Sequence, residues 1–357
     1  MNHERYSRQI ILKDFGPNAQ HKLSESKVLV VGAGGLGVPV LTYLNAMGVG
    51  TLGIVDADTV SITNLHRQVL YDENEVGKHK ANVAHRKLSA QNSSTKIRTY
   101  NEFLNRDNAL KIIKGYDVVV DASDNFPTRY LINDACVILN KPFVYGALHA
   151  FEGQISVFNF NNGPTYRCLF PKMPNADEIP NCNEHGVLGV IPGIVGNLQA
   201  LEVIKVLTGV GEVLSGKLLL YSGLNQSIQK IKFTLNLENV KINRLHDNYN
   251  LACGVKVDSV EANQFKTLLH SENIQSIDVR TMAEYSQFHL DNTVNLPLDE
   301  IEQWKHTISY NRPIYLVCQS GVRSTKGLLI LQEHEPNAIL INVVGGLNSL
   351  KIHANKY

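Results

Sequence analysis

Apolar runs alternate with helix-spaced apolar residues along the first part of the chain. Residues 27–31 form a continuous apolar run, as a strand buried on both faces should, and residues 36–47 carry apolar side chains at helical spacing. The alternation continues as strand, helix, strand and helix over residues 51–55, 77–89, 117–120 and 125–139. This pattern predicts an α/β fold with a doubly wound, Rossmann-like, mainly parallel sheet.

Further along, the pattern predicts antiparallel strands added to that sheet, over residues 154–158, 217–221 and 227–233. Residues 159–185 are rich in Pro, Asn and charge and predict a long loop, a type of segment that is often functional. Residues 187–207 are apolar but contain Asn197, Gln199, Glu202 and Lys205. These polar residues favour a half-buried helix over a membrane span.

A polar stretch without periodicity then interrupts the pattern, and a second, small α/β pattern begins near residue 257. Ser259 is predicted to cap a helix, and strands are expected at 274–279 and 314–317, followed by a helix over 324–332. We therefore predict one domain over residues 1–245, a linker over 246–256 and a second domain over 257–357.

Composition narrows the class of protein. The 357 residues carry a net charge of +1 with both signs well mixed, which offers no electrostatic case for nucleic acid or an anionic membrane as a partner. The N-terminus lacks the apolar core of a signal peptide. Five cysteines in so long a chain do not indicate a disulfide framework. A cytoplasmic protein with reduced thiols is expected.

Gly32, Gly34, Gly35 and Gly37 form a glycine turn between the first strand and the first helix of the sheet. Glycines let the backbone approach a phosphate closely, and the helix N-terminus behind them supplies free amide donors. Asp56 closes the next strand, where a ribose-binding carboxylate is expected. The turn therefore predicts a nucleotide site.

The glycine spacing by itself favours NAD over ATP, and the charged residues that follow decide between them. Arg67 and Lys80 could neutralise a triphosphate, with Asn64 nearby in the sequence, and Asp124 could hold its magnesium. An enzyme that transfers hydride has less need of this set. These residues therefore favour ATP with magnesium.

Residues 4–233 resemble the ubiquitin-activating-enzyme-like family, the MoeB/ThiF family, which adenylylates sulfur carriers for molybdopterin and thiamine biosynthesis. The motifs that carry the resemblance are Arg5-Tyr6-Ser7-Arg8-Gln9, the glycine turn, Asp56-Ala57-Asp58, Asn64-Leu65-His66-Arg67-Gln68, Lys80, and Asp121-Ala122-Ser123-Asp124-Asn125 with Arg129.

The resemblance implies residue roles that the pattern does not give. ATP would lie over the glycine turn, with Asp56 on the ribose and Asp124 on magnesium. The remaining nucleotide-binding residues implied are Thr63, Asn64, Leu65, His66, Arg67, Lys80 and Asn125. Arg8 would reach into the site of a partner subunit, which implies a homodimer. The substrate would be the C-terminal glycine of a ubiquitin-like carrier ending in Gly-Gly, converted to its acyl-adenylate.

Two further features concern cysteines in the first domain. The family has a cysteine at the position of Cys182, in the long loop, which can bond to the activated carrier or to sulfur. Many relatives also bind a structural zinc through two Cys-x-x-Cys pairs. Here each pair keeps one cysteine, Cys168 and Cys253. Because tetrahedral zinc needs four sulfur or imidazole ligands, we expect no structural zinc.

Cys318 ends a predicted strand and is followed by Gln-Ser-Gly-Val-Arg and then a helix. The backbone amides of such a turn make an anion nest, and with Arg323 they should favour a thiolate or persulfide on Cys318. Residues 257–357 resemble a rhodanese domain. The segments that carry this resemblance are residues 277–280, 284–285, 289–290, 295–298 and 345–347. A cysteine phosphatase is the alternative interpretation. Phosphatases place five residues between Cys and Arg, whereas here there are four. The tighter turn suits a single sulfur better than a phosphate group, so a sulfurtransferase is favoured.

The sequence therefore predicts a fused adenylyltransferase and sulfurtransferase. The catalytic residues expected are Arg8, Arg67, Lys80, Cys182, Cys318 and Arg323. A cysteine desulfurase or thiosulfate would both fit as sulfur donor. One other class remains open at this point, an NAD-dependent oxidoreductase with a cysteine redox or phosphatase-like domain. A scaffold that only binds a ubiquitin-like protein is disfavoured, because the set of phosphate-binding residues is intact.

Overall fold

A computed structural model describes residues 3–174, 186–246, 249, 258–270, 274–319 and 321–350. The described residues up to Tyr249 belong to one compact unit, and those from Asp258 belong to another. The predicted linker lies almost wholly outside the described residues, so its limits stay a prediction. Two residues within it are described, and both contact the first unit: His246 and Tyr249 lie against the buried Asp134.

The first unit has eight strands and eight α-helices among its described residues. The strands are β1 Lys27–Val31, β2 Thr51–Val55, β3 Lys96–Tyr100, β4 Val118–Asp121, β5 Phe143–His149, β6 Glu152–Phe158, β7 Lys217–Ser222 and β8 Ser227–Lys232. The helices are α1 His3–Ile10, α2 Gly16–Glu25, α3 Gly37–Met47, α4 Lys80–Gln91, α5 Ala109–Ile113, α6 Phe126–Ile138, α7 Tyr166–Leu169 and α8 Val190–Thr208. Short 3₁₀ turns lie at Ile62–Asn64, Glu73–Glu75 and Leu237–Val240.

The strands form one sheet in the order β3-β2-β1-β4-β5-β6-β7-β8. The pairs from β3 to β5 are parallel, and the pairs from β5 to β8 are antiparallel. The prediction of a doubly wound sheet with antiparallel additions is confirmed. Successive strands are added toward one edge of the sheet from β1 to β3 and toward the other edge from β4 onward. Open α/β sheets bind ligands at the point between β1 and β4 where this order of addition reverses.

Two strands of this sheet, β3 and β5, were not predicted by the hydrophobic pattern. The residues of β3 are partly or fully exposed because this strand lies at the edge of the sheet, so its apolar signal is weak. By contrast β2, which is buried along its whole length, coincides with its predicted range. Edge position explains the missed β3, but not the missed β5, which lies inside the sheet and is mostly buried.

Helix α8 is the one described helix long and apolar enough to cross a membrane, judged by length and composition. Half of its apolar window is buried inside the protein. Two of its buried polar residues make hydrogen bonds: Gln199 donates to the carbonyl of Asp121, and Glu202 accepts from the backbone N–H of Leu214. Packing against the sheet therefore accounts for its apolar character.

The second unit is a smaller α/β layer structure. Its strands are β9 Asp258–Glu261, β10 Gln275–Asp278, β11 Val294–Asn295, β12 Ile314–Val317 and β13 Leu340–Val344, in the all-parallel order β11-β10-β12-β13-β9. Its helices are α9 Ala262–Leu268, α10 Met282–Gln287, α11 Ile301–Trp304 and α12 Val322–His334. Short 3₁₀ turns lie at Leu298–Glu300 and Gly346–Ser349.

One detail predicted for the second unit is wrong. Ser259 does not cap a helix, because it lies inside β9, where it pairs with Asn342 of β13. The helix begins three residues later, at Ala262, after Glu261. Pairing with a distant strand has overridden the local capping preference of serine.

Candidate functional site

The glycine turn lies between β1 and α3, at the carboxyl end of the sheet. Gly32 has φ +99°, and a Cβ there would lie 2.6 Å from the carbonyl oxygen of Ala122. A Cβ at Gly37 would lie 1.8 Å from the carbonyl oxygen of Gly32. Glycine is therefore required at both positions by the close packing of the turn against β4 and against itself.

Gly34 and Gly35 line the more open part of the turn. A Cβ at Gly34 would have 3.5 Å to the amide nitrogen of Gln68, and one at Gly35 would have 3.0 Å to the Pro192 ring. The Tyr71 hydroxyl donates to the carbonyl of Ala33 at 2.8 Å and so fixes the turn from the segment after β2. This tyrosine was not predicted as part of the site.

Asp56, at the end of β2, is hydrogen-bonded to the turn. Its Oδ2 accepts from the backbone N–H of Ala33 at 2.7 Å, and its Oδ1 accepts from the N–H of Asp58 at 2.8 Å. Burial raises the pKa of Asp56, while Lys80 and the two backbone donors oppose that rise. The structure thus brings together the predicted ribose-binding carboxylate and the predicted phosphate-binding turn.

Lys80 is the first residue of α4, and its side chain is 6 % exposed. Its Nζ lies 3.0 Å from Oδ2 of Asp58, whose own side chain is 54 % exposed. No role was predicted for Asp58, although it lies two residues after Asp56 in the same motif. Because the Lys80 ammonium is already buried beside one carboxylate, it can bind a second anion without a further loss of hydrating water.

The segment after β2 carries the other predicted phosphate ligands. Asn64 ends the 3₁₀ turn Ile62–Asn64, and Arg67 donates through Nη1 to the carbonyl of Thr63 at 3.1 Å. The same Nη1 lies 3.3 Å from Nε2 of His66. Thr63 and His66 are exposed, whereas Asn64, Leu65 and Arg67 are half-buried. This places Arg67 on the same connection as Asp58.

The connection from β4 to α6 holds Asp124 and Asn125, both exposed. Asn125 caps α6 by accepting from the N–H of Thr128 at 2.9 Å, and its amide lies 3.3 Å from Oδ1 of Asp124. Behind them, the buried Asp121 accepts from the N–H and hydroxyl of Ser123. The exposed Asp124 carboxylate therefore stands on a hydrogen-bonded connection whose Ala122 packs against Gly32, an arrangement that suits an oxygen ligand for magnesium.

Two predicted residues of the first domain stand apart from this constellation. Arg8 is exposed on α1, and no described contact connects it to the glycine turn of its own chain. Cys182 lies outside the described residues, as do Cys253 and Ser320. The roles given to Arg8 and Cys182 stay predictions.

Cys168, one of the two cysteines left from the zinc pattern, accepts hydrogen bonds. Its Sγ lies 3.4 Å from the N–H of Thr165, 3.3 Å from the N–H of Asn236 and 3.5 Å from the amide of Asn239. Burial raises the pKa of Cys168, but hydrogen bonds from Thr165 and the two asparagines outweigh burial and lower it. Among the described residues, no cluster of three or more His, Cys, Asp or Glu is placed to hold a metal ion. The expected absence of zinc stays a prediction.

In the second unit, Cys318 directly follows β12, and its side chain is buried. Its Sγ accepts from the backbone N–H of Gly321 at 3.1 Å and lies 3.4 Å from the Ser324 hydroxyl. Gly321 has φ +88° and precedes α12, so the turn points its N–H back at the sulfur. The predicted anion nest thus has one described amide, that of Gly321, aimed at Cys318, whereas the Ser324 hydroxyl lies closer to Oδ1 of Asn342, at 2.7 Å.

The turn is closed by the segment after β13. The N–H groups of Leu347 and Asn348 donate to the carbonyls of Cys318 and Gln319 at 2.9 and 3.0 Å. A Cβ at Gly346 would lie 2.2 Å from the Cys318 carbonyl, and Gly346 has φ +57°. Gly345 and Gly346, noted in the sequence as a pair, are required for this close approach.

Arg323 does not stand as an isolated cation beside Cys318. Its Nη1 and Nη2 donate to the two carboxylate oxygens of Glu284 at 2.7 and 2.6 Å. Glu284 also completes a capping box with Thr281 at the start of α10. The Thr-x-x-Glu spacing is visible in the sequence and could have predicted the cap, but not the ion pair across the domain.

Comparison with known proteins connects both units to characterised families. The profile of the ThiF family matches residues 6–241, and that of the rhodanese-like domain matches residues 261–353. The Aedes aegypti adenylyltransferase and sulfurtransferase MOCS3 is 40% identical over 376 aligned residues, covering 97% of this chain and 86% of the relative. A sulfur carrier protein adenylyltransferase of Thermus thermophilus is 52% identical over 238 residues, covering 65% of this chain and 88% of the relative.

Solved structures give the same fold for the first unit. The crystal structure of E. coli MccB with AMPCPP and selenomethionine MccA has a TM-score of 0.59 and 26% identity, covering 66% of this chain and 73% of MccB. That of MccB with ATP has a TM-score of 0.57 and 25% identity, covering 66% and 73%. With the glycine turn, Asp56 and the Cys318 turn in place, these matches show that the chain belongs to the ThiF family of sulfur-carrier adenylyltransferases, in the group that also carries a rhodanese domain and acts as a sulfurtransferase.

Proposed function

We propose that the first unit adenylylates a ubiquitin-like carrier ending in Gly-Gly with Mg-ATP, and that Cys318 then supplies persulfide sulfur to form the carrier's thiocarboxylate. Family membership supports adenylylation of a sulfur carrier, use of ATP and sulfurtransferase activity. The observation that carries the proposal is the convergence of the glycine turn, Asp56, Lys80 and Asp124 around the carboxyl ends of β1, β2 and β4. An NAD-dependent oxidoreductase is not favoured by these relatives.

In the proposed site, the amides of the glycine turn and the N-terminus of α3 bind phosphate oxygens, and Asp56 binds the ribose. Asn64, Arg67 and Lys80 neutralise the phosphates, with Thr63, Leu65 and His66 shaping their connection. Asp124, beside Asn125, would hold magnesium, which would supply charge neutralisation for the leaving pyrophosphate. The carrier carboxylate attacks the α-phosphorus, and the protein aligns the reactants rather than forming a covalent bond at this step.

The acyl-adenylate makes the carrier's carbonyl carbon reactive because AMP is a good leaving group. The terminal sulfur of a Cys318 persulfide then replaces AMP at that carbon, which gives an acyl disulfide between the carrier and Cys318. A thiolate attacks the Cys318 sulfur of this disulfide, the S–S bond breaks and the carrier leaves as its thiocarboxylate; an added thiol reduces the disulfide that remains on Cys318. Cys182 is proposed to bond to the carrier or to the transferred sulfur during the exchange. A tether over residues 246–256, between domains 1–245 and 257–357, raises the effective concentration of the persulfide near the adenylate.

Four further proposals rest on the family. The chain acts as a homodimer, with Arg8 reaching the site of the partner subunit. The sulfur donor is a cysteine desulfurase or thiosulfate. The pathway served is molybdopterin, thiamine or related sulfur-transfer biosynthesis. The location is cytoplasmic, which suits the free thiols of Cys136, Cys168 and Cys318.

The test combines two measurements on the full chain. Purified protein is mixed with magnesium, ATP and carriers that end in Gly-Gly, or with the same carriers lacking the last glycine. Carrier-dependent exchange between pyrophosphate and ATP, followed by thiocarboxylate detected by mass spectrometry when a sulfur donor is added, is expected with the intact carrier. Exchange without dependence on the carrier's terminal glycine, or reduction of NAD in its place, would refute the proposal.

A further inference from the structure

The ion pair between Arg323 and Glu284 gives the cysteine turn an unusual charge balance. Both terminal nitrogens of the guanidinium are hydrogen-bonded to the carboxylate, at 2.7 and 2.6 Å. The hydrogen bonds from Arg323 outweigh the opposing effect of burial and lower the pKa of Glu284 to about 2, so the carboxylate is charged throughout the physiological range. The single arginine of the turn is therefore matched by a permanent negative charge.

A second arginine near the turn is compensated in the same way. Arg280 is buried and bonded to Asp278, with Nη2 at 2.7 Å from Oδ2, and its Nη1 donates to the Gln319 side chain at 3.2 Å. Gln319 is the residue after Cys318. Two arginines and two carboxylates thus surround the cysteine turn, and their formal charges cancel.

Cys318 itself is held by a neutral donor, the Gly321 N–H. The Ser324 hydroxyl is also near its sulfur, at 3.4 Å, but lies closer to Oδ1 of Asn342, at 2.7 Å. A sulfur atom carrying one negative charge fits this arrangement, since the backbone amide offers it a partial positive charge. A donor with two negative charges gains less here, because Asp278 and Glu284 already offset the charges of the two arginines.

We propose that Glu284 is a specificity-determining residue of the sulfur-transfer reaction: by neutralising Arg323 it disfavours a dianionic sulfur donor such as thiosulfate and leaves the site suited to a persulfide of lower charge. The proposal rests on the function assigned above to Cys318, and it chooses between the two classes of donor left open there.

The chemistry balances for either donor. The Cys318 thiolate attacks the outer sulfur of the donor, a Cys318 persulfide forms, and the donor's S–S bond breaks. The leaving group is sulfite when the donor is thiosulfate, and a thiolate when the donor is an organic persulfide. Cyanide then removes the outer sulfur as thiocyanate and restores the thiolate, so turnover can be measured without ATP or a carrier.

The discriminating variant is Glu284→Gln. Glutamine keeps an oxygen for the N–H of Thr281, which now lies 3.1 Å from Oε2 of Glu284, so the start of α10 should be retained. We expect kcat/KM for thiosulfate to rise about tenfold, equivalent to about 1.4 kcal/mol. With cysteine persulfide as donor, whose net charge near neutral pH is −1 against −2 for thiosulfate, the change should stay below about threefold.

Glu302→Gln is the matched control, because it removes the same charge from the second unit at a side chain that is 71 % exposed and paired with Lys305. It should leave both donors unchanged. In the double variant Glu284→Gln with Arg323→Gln, the gain for thiosulfate should disappear, since Glu284 is proposed to act through Arg323. Circular dichroism of each variant checks its fold.

The unaltered protein provides a test that needs no variant. Its kcat/KM for thiosulfate should change by less than about twofold between roughly 0.01 and 0.5 M ionic strength, because a neutral turn does not steer a dianion. A steep fall with salt would overturn the proposal, as would an equal gain for both donors in Glu284→Gln. Because neither ATP nor carrier is present, failure here is distinct from failure of the adenylylation proposal, which pyrophosphate exchange measures.

Discussion

Both units place a glycine-containing turn between a buried parallel strand and a helix, but they arrange charge around it differently. In the first unit, the cation Lys80 comes from a separate helix and has one contact to the largely exposed Asp58 at 3.0 Å. In the second, the cation Arg323 belongs to the turn's own helix and has two contacts to Glu284. The first arrangement leaves a buried cation able to meet a polyanion, and the second keeps the turn neutral.

A strand, a glycine turn and a helix in succession therefore do not by themselves define the charge of the ligand that the turn binds. The backbone donors are similar in kind, since both turns direct amides toward the ligand position. The acidic partners decide the difference, and each stands outside the turn that it affects. Variants that remove one charge or one glycine at a time should therefore change the activity or stability of one unit and leave that of the other unit unchanged.

The largest effect is expected from Cys318→Ala. Thiocarboxylate formation should be abolished, because the group that accepts sulfur is gone, while carrier-dependent pyrophosphate exchange should stay within about twofold of the unaltered protein. Exchange and mass spectrometry on the same preparation measure both. If exchange collapses while the circular dichroism spectrum is retained, the division of labour between the units is wrong.

The reciprocal variant is Lys80→Ala. Loss of a buried cation that meets the phosphates should lower pyrophosphate exchange by about 10²–10³-fold, while sulfur transfer from persulfide to cyanide continues. Lys78→Ala is the control, because this exposed lysine lies two residues earlier and removes the same charge. Equal losses in the two variants would show that net charge, and not the position of Lys80, is responsible.

A smaller effect, on stability, is expected from Gly37→Ala. Its Cβ would lie 1.8 Å from the Gly32 carbonyl oxygen, so the first unit should lose about 3 kcal/mol of unfolding free energy as the turn is forced apart. Gly193→Ala in α8 is the control: its Cβ meets nothing within 4 Å, and alanine in a helix should stabilise by about 0.5–1 kcal/mol. Urea unfolding checks both, and an undisturbed Gly37→Ala would contradict the packing of the turn.

The smallest effect concerns acid stability of the second unit. The pKa of Glu284 is lowered from 4.5 to about 2 in the folded protein, chiefly by the hydrogen bonds from Arg323. The ionised Glu284 carboxylate therefore adds its full contribution to the free energy of unfolding above about pH 4.5, the pKa in the unfolded chain. This contribution is lost as the pH falls from about 4.5 to about 2. Because the side chain is 35 % exposed, solvent screening limits this contribution to about 1 kcal/mol.

Unfolding of Glu284→Gln and of the unaltered protein, measured from pH 7 to pH 2, checks this prediction. The two curves should differ at neutral pH and converge in acid. A constant difference would show that the carboxylate's charge does not matter for the fold. Glu302→Gln again serves as the control for a change of net charge.

Much of the architecture could be predicted because it rests on local patterns. The buried strands β1, β2 and β12 are continuous apolar runs, and they lead directly to Gly32, Asp56 and Cys318. The prediction missed the interior strand β5, and it failed at two places where an edge or a distant pairing governed the structure. The strand β3 has a weak apolar signal, and Ser259 follows its partner strand β13 rather than its own capping preference.

The sequence by itself determined the two turns and the buried strands that lead into them, because glycine spacing and apolar periodicity act over a few residues. Only the tertiary structure decided which carboxylate faces which cation. Glu284 and Arg323 are separated by 39 positions, and Lys80 and Asp58 by 22. Electrostatic pairing depends on distance in space, which is set when the strands and helices pack and has no local signal along the chain.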